Sequence, residues 1–210
     1  MKRIALIFAA VLCGLTLAAV NPASARAQDN AAVAINTKDG TSIFRVAFKI
    51  ARVNKEIVDN SNAAAAWASC TDCQAIAAAF QIVLIFSDPD VVTPSNIALA
   101  VNWECEACVA FASAYQWVLT TDGPVHFTAE GNQLLADVRK RLHELAKMDE
   151  LMLEQLIAEL ETLADMIRTV LANEMVSPGP APEPAPAPEP PPATTETTET
   201  TTEPTTTTTP

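Results

Sequence analysis

One pattern occurs twice in this sequence, and that repetition constrains the fold more than any other feature. Cys70-Thr71-Asp72-Cys73 leads into Gln-Ala-Ile-Ala-Ala-Ala-Phe-Gln-Ile-Val-Leu, ending at Leu84. Cys105-Glu106-Ala107-Cys108 leads into Val-Ala-Phe-Ala-Ser-Ala-Tyr-Gln-Trp-Val-Leu, ending at Leu119. A shift of 35 residues lays Cys70 on Cys105, Cys73 on Cys108, Ala75, Ala77 and Ala79 on Ala110, Ala112 and Ala114, Phe80 on Tyr115 and Gln81 on Gln116. Repetition on this scale implies one supersecondary unit present in two copies, each burying its apolar face against the other.

Local propensity then suggests what the unit is. From Ala63 to Phe86 the chain is Ala-rich and free of Gly and Pro, which favours a helix because Ala loses no side-chain entropy there. Ser87-Asp88-Pro89-Asp90 is a turn signal. Ser95 can cap a second helix from Asn96 to about Leu119, stopped by Thr120-Thr121-Asp122-Gly123-Pro124. Upstream, Ala32 to Asn36 precedes Thr37-Lys38-Asp39-Gly40-Thr41, and Phe44, Val46, Phe48 and Ile50 then alternate with less apolar residues. That pattern predicts a β-hairpin over 32–53, with a helix through Ile43, Val46, Ile50 and Val53 as the competing reading. Gln133 to Asn173 holds Leu135, Val138, Leu142, Leu145, Met148, Met152, Leu156, Leu160, Leu163, Ile167 and Val170 at spacings of three and four, predicting one long amphipathic helix. The expected fold is therefore mainly α with a small β-hairpin: a disulfide-stapled antiparallel helix pair plus a long C-terminal amphipathic helix. That helix offers a coiled-coil stripe for a protein partner or for self-association, with packing inside the chain as the plainer use.

Composition places the chain outside the cytoplasm. Lys2 and Arg3, the apolar stretch Ile4 to Val20 and the small residues Ala23-Ser24-Ala25-Arg26-Ala27 form a signal-peptide pattern over 1–27. No later apolar run approaches the ~20 residues of a spanning helix, so no stable membrane span is expected after cleavage. The expected domains are the signal at 1–27, a Cys-x-x-Cys repeat domain at 28–132, the long helix at 133–176 and a disordered tail at 177–210. The tail is rich in Pro, Thr and Glu and open to O-glycosylation. The whole chain carries a formal charge of −12. Removal of Lys2, Arg3 and Arg26 makes the balance more acidic still, which excludes nucleic acid as a natural partner.

Chemistry is concentrated in the four cysteines of the exported chain. An even number in an oxidising compartment favours disulfides. Four cysteines allow three connectivities. On an antiparallel helix pair folded about residues 87–94, the matching offsets select Cys70–Cys108 and Cys73–Cys105. The alternatives are a four-cysteine zinc site at Cys70, Cys73, Cys105 and Cys108 and a redox pair. His126 and His143 are the only histidines, without metal-protease spacing, and no phosphate loop or nucleophile elbow is present. Neither a catalytic residue nor a cofactor is assigned. Trp67, Trp103, Tyr115 and Trp117 are expected to fill a core against the disulfides.

Four segments together carry a family resemblance: Asn36-Thr37-Lys38-Asp39-Gly40, the two Cys-x-x-Cys pairs, Ser87 to Pro94, and Thr120 to Thr128. Over about residues 32–142 the chain resembles an uncharacterised exported Cys-x-x-Cys repeat domain of actinobacteria. A similar region lies C-terminal to some membrane-embedded peptide zinc metalloprotease-like proteins. The His-Glu-x-x-His helix and spanning segments of those proteins have no counterpart here, so no catalytic residue carries over. The resemblance implies a non-enzymatic structural or protein-interaction module of the envelope, or an accessory domain of an exported peptidase or maturation system. A thiol-disulfide or metal-binding role follows only from the cysteines.

Overall fold

The computed structural model describes residues 29–148 and 152–177, so the expected signal and nearly all of the expected tail lie outside the described residues. The described chain is mostly strand, not mainly α. Its first part is a three-rung parallel β-solenoid. The first rung comprises β1 (Asn30–Asn36), β2 (Ser42–Val53) and β3 (Ile57–Val58). The second comprises β4 (Ser61–Ala68), β5 (Gln74–Ile85) and β6 (Val91–Val92). The third comprises β7 (Ser95–Asn102) and β8 (Val109–Thr120). Equivalent strands stack in parallel: β1-β4-β7 form a first sheet, β2-β5-β8 a second, and β3-β6 a short third side.

The internal repeat survives this correction, because its 35-residue shift is the register of the second sheet. Ala75 pairs with Ala110, Phe80 with Tyr115, Gln81 with Gln116 and Leu84 with Leu119. A further copy lies upstream, where Phe48 pairs with Phe80 and Ile50 with Ile82. The two segments expected to be helices are thus each two strands joined by a corner, and they run parallel to one another. The expected hairpin is also overturned. Residues 44–51 are strand, but β1 and β2 belong to different sheets and pair with β4 and β5 instead.

The side-chain pattern explains the architecture. Along β4, Ala64, Ala66 and Ala68 point inward, and along β5 so do Ala75, Ala77 and Ala79; all are nearly or fully buried. The two sheets are close enough that alanine fills the interior between them. Residues of opposite parity on β5, Ile76, Phe80, Ile82 and Leu84, face the other way and are equally buried. A strand covered on both faces reads as an unbroken apolar run, which is why period two is hidden there.

Two helices cover the outer face of the second sheet. α1 (Ala129–Leu145) and α2 (Leu153–Asn173) fold back on one another where a single helix over 133–173 was expected. β9 (His126–Phe127) and β10 (Met175–Val176) pair antiparallel and tie the ends of this hairpin together. Leu135, Val138, Leu142, Leu156, Leu160, Leu163, Ile167 and Val170 all join the core beneath Phe44, Phe80 and Leu84. The stripe that a coiled coil would use is therefore buried against the chain's own sheet. Met148 and Met152, which continued the stripe in sequence, are 49% and 66% exposed at the break. A straight helix of some 40 residues would run about 60 Å, longer than the ~40 Å that a twelve-residue strand spans. Folding back lets both halves of the stripe reach the sheet.

Candidate interaction surfaces

The cysteines sit at the corners where the chain passes from the first sheet to the second. The bonds are Cys70–Cys73 and Cys105–Cys108, with Cα separations of 6.0 and 5.9 Å. The expected cross-pairing, Cys70–Cys108 and Cys73–Cys105, is overturned. It presupposed antiparallel helices, whereas in a parallel stack each Cys-x-x-Cys lies directly over the other. The corners stack through Asp72 N–H donating to the Glu106 carbonyl at 2.8 Å and Val109 N–H donating to the Cys73 carbonyl at 2.9 Å. With all four sulfurs bonded in pairs, this arrangement presents no thiolate to a zinc ion. Among the described residues no cluster of three or more His, Cys, Asp and Glu is placed to hold a metal.

The three corners solve one backbone problem in two ways. Gly40, Asp72 and Ala107 occupy equivalent positions two residues before the second sheet, with φ of 62°, 50° and 53°. Glycine adopts this left-handed conformation freely; other residues pay about 1–2 kcal/mol. The rung with glycine has no disulfide. Its corner is held by Asn36, whose Nδ2 donates to the Thr41 and Gln74 carbonyls at 2.7 and 2.8 Å and whose Oδ1 accepts from Lys38 N–H. The two rungs without glycine carry the disulfides.

At the opposite margin of the first sheet runs an asparagine ladder. Asn30 Nδ2 donates to Asn62 Oδ1 at 2.8 Å, and Asn62 Nδ2 donates to Asn96 Oδ1 at 2.8 Å. The same amides reach across the interior to backbone carbonyls of the second sheet: Asn30 to Phe80, Asn62 to Tyr115 and Asn96 to Ala114. Asn62 is fully buried. A second rung-to-rung contact joins Gln116 Nε2 to Gln81 Oε1 at 2.7 Å. The asparagines are 32 and 34 residues apart in sequence. Asn30 opens β1, and Asn62 and Asn96 stand second in β4 and β7, a signal the cysteine-anchored repeat obscured.

Two surfaces remain that are shaped for contact. Among the described residues nothing covers the outer face of the first sheet, and that face is apolar. Its rows are Val33-Ala65-Leu99 and Ile35-Trp67-Val101, with Ala31-Ala63-Ile97 beside them. Val33, Ile35 and Ile97 are 51%, 46% and 50% exposed. The second surface is the far end of the solenoid, where β7 and β8 are edge strands of their sheets.

The other residues singled out in the sequence are dispersed. His126 is exposed on β9 and His143 is exposed in the last turn of α1. The aromatic residues do not gather on the disulfides. Tyr115 and Trp117 stack with Phe80 under the helices, with ring centroids 4.6 and 6.4 Å from Phe80. Trp67 lies on the outer face of the first sheet, and Trp103 at the third corner. Tyr115 Oη donates to Glu161 Oε1 at 3.0 Å. Burial raises the Tyr115 pKa, Ser113 pulls it down and the Glu161 carboxylate adds to the rise. Between the helices an open groove holds the Arg141–Glu159 ion pair at 2.5 Å, an exposed pair worth little to stability.

Fold and surfaces together define a short parallel β-solenoid, braced by a helical hairpin and stapled at its corners. Compared with known proteins, the chain matches no family model, no curated protein and no solved structure. Among the described residues no helix is long and apolar enough to cross a membrane.

Proposed function

We propose that this chain is a non-enzymatic structural or protein-interaction module exported to an actinobacterial envelope, meeting a protein partner through the outer face of its first sheet. The observation that carries this reading is the three aligned apolar rows with Val33, Ile35 and Ile97 about half exposed. An exposed patch of this kind on a rigid scaffold is characteristic of contact surfaces. Two disulfides support an oxidising compartment. The envelope itself is suggested by the resemblance over residues 32–142.

A photo-reactive side chain at position 97 tests this in the exporting cell. One discrete protein adduct is expected there, lost when Ile35→Lys is added, while a probe at Thr162 on the exposed flank of α2 gives none. An adduct that survives Ile35→Lys in folded protein, or no adduct at position 97, overturns the reading.

A further inference from the structure

The two ends of the solenoid are built differently. At the first rung the inward rows carry cations. Arg45 stands in the row of Ala77 and Ala112, and Lys49 in the row of Gln81 and Gln116. Lys49 Nζ reaches across the end to donate to the Asp29 carbonyl at 3.2 Å. The inward alanines Ala32 and Ala34 are only 3% and 1% exposed. Inward-pointing charge on an edge strand is a known device against edge-to-edge pairing. At the third rung the same rows carry Ala112 and Gln116, and Ala98 and Ala100 of β7 are exposed. The edge strands β7 and β8, of 8 and 12 residues, face one another there across the alanine interior, with no charged residue among the inward rows.

We propose that two copies of this chain join tail to tail through β7 and β8. A two-fold axis perpendicular to both sheets sets β7 antiparallel to its symmetry mate and β8 antiparallel to its own. Each sheet then continues across the junction and the alanine interior runs unbroken. Such an isologous contact closes at two copies. Head-to-tail stacking would place Arg45 and Lys49 over the apolar end and would grow without limit, so the charges at the first rung select the closed arrangement. A section about 40 Å long and about 10 Å thick presents roughly 400 Å² per copy, or about 800 Å² over both copies, below the standard range for specific interfaces and in that of weak, transient ones. The dimer is accordingly weak and reversible. It also doubles the apolar face of the first sheet without using it, so this inference stands apart from the partner proposed above.

Sedimentation of the signal-free chain from about 1 µM to about 1 mM, the range expected of a small interface, is the test. Wild type should pass reversibly from monomer to dimer and stop there. Ala98→Lys and Ala112→Lys, which copy the charge of the first rung, should each weaken association at least tenfold with unchanged melting. Ile35→Lys, on the outer face, should leave it intact. A wild-type monomer throughout, growth beyond two copies, dimers persisting in the folded lysine variants, or loss of dimer with Ile35→Lys overturns the proposal. Should the lysine variants not fold, hydrogen exchange of wild type at both concentrations decides. Protection rising with concentration in β7 and β8 supports the junction, and protection rising instead in β1 and β2, or nowhere, refutes it.

Discussion

Removing the Asn62 side chain tests whether the ladder holds the two sheets together. Asn62 accepts from Asn30 and donates to Asn96 Oδ1 and to the Tyr115 carbonyl, at 2.8, 2.8 and 2.9 Å. In Asn62→Ala, Asn30 keeps its bond to the Phe80 carbonyl, and the exposed Asn96 turns to water. The Tyr115 carbonyl loses its donor inside the fold. Two net hydrogen bonds at about 1 kcal/mol each, with one stranded acceptor at about 1–3 kcal/mol, predict a loss of about 3–5 kcal/mol. For a domain of this size that is a fall in Tm of about 10 °C. Asn96→Ala removes the same amide at the solvent-facing end of the ladder and should cost about 1 kcal/mol or less, because water replaces what is lost. Urea unfolding of the two variants gives both numbers directly. Equal costs would refute the reasoning, since they would mean that burial at Asn62 adds nothing and that the ladder merely decorates the sheet margin.

The corners give the next expectations. Gly40→Ala should destabilise by about 1–2 kcal/mol, and by backbone strain alone, because a Cβ there meets nothing within 4 Å; thermal unfolding measures it. Mild acid cleavage at Asp88–Pro89 separates the two cysteine pairs along the chain, so the fragments should part without reductant after denaturation, whereas a cross-rung pairing would hold them together. Cys105→Ser with Cys108→Ser should lower stability by about 2 kcal/mol, the entropy of a four-residue loop, seen as a shifted urea midpoint. Gly131→Ala brings a Cβ within 2.6 Å of Glu174 Cβ where α1 begins beside the end of α2, and should cost about 1–3 kcal/mol in chemical denaturation. Tyr115 is the only tyrosine, so its ionisation is read directly at 295 nm. The midpoint should lie above the usual 10.0, chiefly from burial, and Glu161→Gln should lower it part of the way. Because the folded-state value is raised, the stability it confers is complete below the unfolded tyrosine range and fades as pH climbs through the folded one.

Much of the order of this fold was visible in the sequence while its geometry was not. The repeat through Cys70 and Cys105 gave the pairing of β5 with β8 residue by residue, because stacked rungs place like side chains over like. The same residues suggested helices because Ala dominates them. On a central strand covered by an alanine interior on one side and by two helices on the other, polarity cannot alternate, and composition alone favours the wrong element. β1 and β4 did carry alternation in their surroundings, with buried Ala32, Ala34, Ala64 and Ala66 set between outward residues. Alanine on the inner face and alanine or valine on the outer face offer little contrast. The helix break near Met148 had no Gly or Pro to announce it, since its cause is the breadth of the sheet below.

The disulfides acquire a different meaning once the corners are seen. Cross-rung bonds would have tied successive copies together, a task the backbone ladders already perform along both sheets. Bonds within each corner instead fix a turn whose left-handed position is held by Asp72 or Ala107, where strain of about 1–2 kcal/mol is comparable to the ~2 kcal/mol that a four-residue disulfide loop supplies. Sulfur and glycine are thus alternative solutions at one position, and the first rung uses glycine with Asn36. Cutting Cys105–Cys108 frees the Ala107 corner to relax and recover part of its strain, whereas Ala107→Gly leaves no strain to recover, so cutting the bond should cost more in the glycine variant. A double-mutant cycle in urea measures that coupling, and independent effects of the two changes would show that corner strain and staple are unrelated.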